Sequence, residues 1–89
     1  MIEVKVAGIA MDASNMPIII LKDEHGKKVL PIWVGLFEAQ AILFALEGLV
    51  PPRPLTHDLL KVIIETMGIV VQSVVINMIQ DNTYFAKIE

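Results

Sequence analysis

Arg53, His57 and Asp58 stand within one short run, Val50-Pro51-Pro52-Arg53-Pro54-Leu55-Thr56-His57-Asp58-Leu59-Leu60. Three prolines stiffen its entry, and Pro54 holds Arg53 in extended geometry. Thr56 then sits where a helix can begin, which predicts Thr56 as N-cap and His57 as the first helical residue. The first amides of a helix lack intrahelical partners and carry the positive end of its dipole. A guanidinium fork, a hydroxyl and an imidazole beside such amides are the parts of an anion site. A phosphodiester suits that site: Arg53 would hold phosphate, with Thr56 beside it, and His57 would serve as general base or acid. Thr56 and Asp58 are equally ordinary capping residues, and the Asp58 carboxylate competes with any anion for the amides. Spacing alone leaves both readings open.

Glu38 is the other carboxylate with a claim on chemistry. At about 100° per residue it falls among Ala41, Ile42 and Ala45, on an apolar stripe. A carboxylate buried there would have a raised pKa and could act as acid or base. With Gly35 as N-cap, however, Glu38 is the third helical residue, where a glutamate reaches back to free amides. No metal motif is convincing. His25 and His57 are far apart, and His57 and Asp58 diverge by about 100° on a helix. A divalent metal held by Asp58 and Glu38, completed by water or substrate, is left open without support from spacing. There is no Gly-rich phosphate loop and no basic-aromatic stripe of the RNA-binding type.

The elements that must position these residues can be read in order. Ile2 to Met11 alternates as a strand that turns apolar on both faces, so it is expected to enter the interior; Gly8 marks a bulge. Asp12 to Asn15 is a turn by composition. Pro17 opens a strand through Lys22 whose apolar run predicts burial on both faces. Asp23-Glu24-His25-Gly26 is a hairpin loop, with His25 solvated at its tip, and Lys27 to Val34 returns. Pro31 removes one ladder donor and favours an edge. Gly35 to Glu47 is a helix apolar enough to expect cover on most sides, closed by Gly48. A second helix runs to Met67, closed by Gly68, with Asp58, Lys61 and Glu65 on its solvent face. Ile69 to Ile79 reads as a long central strand, Asp81-Asn82-Thr83 as a turn, and Tyr84 to Ile88 as a last strand. The order βββααββ predicts an α+β fold: a mixed or antiparallel sheet of about five strands with two consecutive helices on one face.

The chain has 89 residues, enough for a single domain over 1–89. A chain this short hides only roughly two-thirds of its unfolded surface. Yet 55% of its residues are hydrophobic and mean hydropathy is +0.66. A further apolar face is therefore expected to be covered by another subunit or by additional chain. A membrane span is not expected, because the longest charge-free run near the C-terminus, Thr66 to Gln80, is too short. No signal peptide is visible and there is no cysteine, so the expected location is cytoplasmic. A net charge of −3 argues against broad, charge-driven binding of nucleic acid.

Leu30-Pro31-Ile32-Trp33-Val34-Gly35, then Glu38-Ala39, then Pro51 to Leu60 resemble the bifunctional nuclease domain family, many of whose members are uncharacterised bacterial proteins. The likeness covers essentially the whole chain. It implies a mixed α+β domain, hydrolysis of both RNA and DNA as in plant members, and a homodimer or larger assembly. Arg53, His57, Asp58 and Glu38 match signature positions of that family. Family domains usually continue into a further helical segment, which is absent here. Two readings follow. One is a nuclease in which Arg53 holds phosphate, His57 transfers a proton, and Glu38 or Asp58 binds metal or orients water. The other is a non-enzymatic oligomeric module that binds a small molecule or a protein, motivated by the excess apolarity and acidic charge.

Overall fold

A computed structural model describes residues 1–89. Its elements are β1 (Val4–Met11), β2 (Pro17–Asp23), β3 (Val29–Trp33), α1 (Leu36–Glu47), α2 (Thr56–Thr66), β4 (Val74–Gln80) and β5 (Thr83–Ile88). The fold is α+β in the predicted order, with five strands divided into two antiparallel sheets, β1-β2-β3 and β4-β5. The backbone falls into two compact units, Met1–Pro52 and Arg53–Glu89.

In the first unit β2 is the central strand. Val4 pairs with Asp23 and Met11 with Pro17 on one side, and Ile18 pairs with Trp33 on the other. The ladder shifts register between Val6 and Gly8, the irregularity that a glycine inside a strand predicts. Pro31 lies on β3, which is paired on one side only, so the missing donor costs no ladder bond. Alternation places Pro17, Ile19 and Leu21 on the buried face of β2, and Ala39 from α1 completes the core. Ile18 and Ile20, on the other face, are only half-buried.

Two burial expectations change here. β1 does not enter the interior: Ala7 is exposed and Met11 is 54% exposed. As an outer strand, β1 has a neighbour along one edge alone. Nor is α1 covered on most sides. It packs against β2 and buries only Ala39, while Phe37 is 79% exposed. One sheet can cover one stripe of a helix, and an apolar remainder stays open. The ends of α1 behave as expected. Gly35 is the N-cap, and Gly48 adopts a left-handed φ of 66° with its amide donating to Ala45 O.

In the second unit, β4 and β5 form a hairpin closed by Asp81 and Asn82, both left-handed with φ of 53° and 60°. That is the backbone of a type I′ turn, which suits the right-handed strand twist. The register shifts between Ile76 and Met78. The irregularity brings Val74, Ile76 and Ile79 onto the face that carries Tyr84, Ala86 and Ile88. β4 begins five residues later than the sequence predicts: Ile69 to Val71 follow α2 without strand pairing, and Gln72 and Ser73 meet only Glu89, past the end of β5, with Gln72 N–H donating to Glu89 O at 2.7 Å. It is also not central, since β5 is its one partner in a two-stranded sheet. α2 carries an exposed Lys61–Glu65 ion pair at 3.9 Å on its polar face. Its apolar side is open too, with Leu60 at 58% and Met67 at 68% exposure.

Candidate functional site

The start of α2 gathers most of the residues singled out above. Arg53 lies in the bend that follows Pro51, is exposed, and takes part in no ion pair. Leu55, with φ −78° and ψ 170°, occupies the N-cap position. The expected cap, Thr56, is instead the first helical residue, and His57 is the second. Thr56 makes no side-chain hydrogen bond, because its backbone is already helical and its hydroxyl is one position too late to cap. Asp58 is the third helical residue, and its Oδ2 accepts a 2.8 Å hydrogen bond from Leu55 N–H. This is the reach-back half of a capping box. Leucine has no oxygen with which to return the bond.

This geometry leaves an electrostatic arrangement with two sides. The amides of Thr56, His57 and Asp58 precede the first intrahelical bond, which runs from Leu59 N to Leu55 O at 3.0 Å. They remain donors with a positive dipole behind them. The Asp58 carboxylate is committed to the Leu55 amide, outside that set, but its charge stays in the same turn. Arg53 and His57 are both exposed and bring cationic or protonatable heads to the same helix start. Chemically, the segment can bind an anion through amides and guanidinium and can exchange a proton through the imidazole.

Glu38 belongs to the first unit. It is the third residue of α1 and is exposed, so the expectation of a buried carboxylate on an apolar stripe does not hold. On that stripe Ala41 and Ile42 are half-buried and Ala45 is exposed, and the carboxylate folds back toward the helix start. Its Oε2 occupies the space that a β-carbon on Gly35 would need. This is the position expected of an acidic residue answering free amides at a helix N-terminus. No three His, Asp or Glu side chains gather in an arrangement that could hold a metal ion. His25 is exposed at its hairpin tip and lines a hollow together with Glu3, Lys5, Asp23 and Glu24.

One cluster escaped the sequence reading. Asp12, assigned there only to a turn, accepts from Ser14 N–H at 2.8 Å and Met16 N–H at 2.9 Å through Oδ1, and from the Trp33 indole N–H at 3.0 Å through Oδ2. The Met16 amide, then the Trp33 indole and the Ser14 amide, hold the Asp12 carboxyl below its ordinary value. The turn composition marked Asp12, but nothing in the sequence paired it with a tryptophan on another strand.

The bifunctional nuclease domain family model matches residues 19–89. Two relatives in Mycobacterium tuberculosis, uncharacterized protein MT1877 of one strain and uncharacterized protein Rv1829 of another, are each 40% identical over 87 residues. Each alignment covers 97% of this chain and 53% of the relative, so the chain spans about half the length of the curated relatives it matches.

Proposed function

Because the chain belongs to the bifunctional nuclease domain family, we propose that it hydrolyses phosphodiester bonds of RNA, DNA or both. The observation that carries this reading beyond the family match is the start of α2. There, three unpaired amides, the free guanidinium of Arg53 and the exposed imidazole of His57 share one rigid entry. Arg53 holds the phosphate, Thr56 offers its unengaged hydroxyl, and His57 transfers the proton. Asp58 acts first as the cap that sets this geometry. Glu38, at the start of α1, belongs to the other unit and is given no part in this site.

The test is direct. Purified protein is incubated with single-stranded RNA and DNA, with and without divalent metal. Cleavage is expected, and His57→Ala is expected to reduce it by about 10²-fold or more. Cleavage that survives both His57→Ala and Arg53→Ala sinks this assignment.

A second reading rests on the exposed apolar faces of α1, α2 and the β4–β5 hairpin. They favour a homodimer or larger assembly, and such an assembly could act as a binding module without catalysis. It predicts no nuclease activity at any metal concentration.

A further inference from the structure

The chain has one tryptophan, Trp33, and it is 56% exposed. A lone exposed indole would ordinarily rotate freely, yet this one is fixed. Its N–H donates to Asp12 Oδ2 at 3.0 Å. Asp12 is fixed in turn by the Ser14 and Met16 amides on its other oxygen. Trp33 also ends β3, where it pairs with Ile18 on the central strand, and Val34 N–H donates to Pro17 O at 3.2 Å directly after it. The polar edge of the ring is thus engaged by a carboxylate at the protein surface, while more than half of the residue remains open to solvent. Four residues on, Phe37 is 79% exposed, and Glu38 follows it.

We propose that Trp33, oriented by Asp12, is a stacking platform for an unpaired base of single-stranded nucleic acid. The proposal rests on the nuclease reading and adds a substrate class to it. An oriented aromatic face stacks on any base, because every base has a π-face. A chain of net charge −3 supplies little counterion release, so any backbone contact that accompanies stacking is local. In a duplex the bases are stacked on one another and present edges, not faces, so the platform selects single strands. Because the indole N–H is already committed to Asp12, recognition is by the ring face and tolerates any sequence.

Trp33 is its own reporter. Titrating the 89-residue chain with short oligothymidylate, under conditions that prevent cleavage, is expected to quench its fluorescence saturably. The matched oligo(dA)·oligo(dT) duplex is expected to require about tenfold more, or to fail to quench. Anisotropy of a labelled strand then compares variants. Trp33→Ala is expected to weaken binding about tenfold, and Trp33→Phe, which keeps a π-face, to weaken it much less. If the labelled strand binds but Trp33 is not quenched and Trp33→Ala binds as the wild type does, the platform is overturned while the nuclease reading stands. Equal affinity for duplex and single strand also overturns it. If no strand binds, and none is cleaved in the separate activity assay, both ideas fail together.

Discussion

Trp33 Nε1 donates a hydrogen bond of 3.0 Å to Asp12 Oδ2 across a sequence separation of 21 residues. It ties the β1–β2 turn to the end of β3 and closes one end of the three-stranded sheet. Asp12 also accepts two amides of its own turn, so removing it frees three donors at once.

The first prediction concerns pH. The folded Asp12 carboxyl titrates below its ordinary value of 3.8, chiefly because it accepts from the Met16 amide. A lowered folded pKa means that the carboxylate's contribution is complete above 3.8 and is lost as pH falls through the folded value. Urea unfolding at neutral pH and at about pH 3 should show the stability gap between wild type and Asp12→Ala narrowing in acid. A gap that stays constant shows that the ionised form is not what holds the turn. The fluorescence of Trp33 should change over the same acid range.

The second concerns the start of α2. Asp58→Ala removes the acceptor for Leu55 N–H and should cost on the order of 0.5–1 kcal/mol, with faster amide exchange in the first turn. Asp58→Asn keeps an acceptor oxygen and should retain most of the stability. If Asp58→Asn also keeps cleavage activity, Asp58 is a cap; if it folds well but loses cleavage, Asp58 has a chemical role of its own.

Glu38 can be tested without touching it. Gly35 has φ −72°, which any residue accepts, but a β-carbon there meets the Glu38 carboxylate. In Gly35→Ala the flexible carboxylate should swing away, and loss of the N-cap glycine should cost about 0.5–1 kcal/mol. A fall in cleavage with the protein still fully folded would assign work to the folded-back carboxylate. Unchanged cleavage would place that conformation outside the reaction.

The β4–β5 turn gives a fourth outcome. Asn82 at φ 60° tolerates glycine, so Asn82→Gly should leave stability equal or higher. Asn82→Val puts a β-branched residue in left-handed geometry and should cost about 1–2 kcal/mol, measured as a lower urea midpoint.

The fifth is assembly. Large apolar side chains such as Leu60, Met67, Val74 and Ile88 are more than half exposed. Light scattering of the purified chain should return at least twice its 9.9 kDa mass. A clean monomer at high concentration would count against any self-assembled form.

The order of the seven elements was legible because it depends on local physics: period-two and helical patterning, glycines that accept left-handed backbone at Gly26, Gly48 and Gly68, and a proline that a paired inner strand would not accept at Pro31. The α2 start was also legible as a place, and Asp58 as a capping residue, but the N-cap falls on Leu55 and not Thr56, because Leu55 adopts the extended cap backbone and Asp58 accepts its amide. Burial was not legible. Apolar runs in α1 and at Ile69 to Ile79 state that a residue prefers to leave water, not what is available to cover it; that depends on which elements pack together. The Asp12–Trp33 bond lies beyond sequence reading for the same reason. Only the antiparallel register of β1, β2 and β3 brings residue 12 beside residue 33, and register is set by the whole sheet and not by either residue.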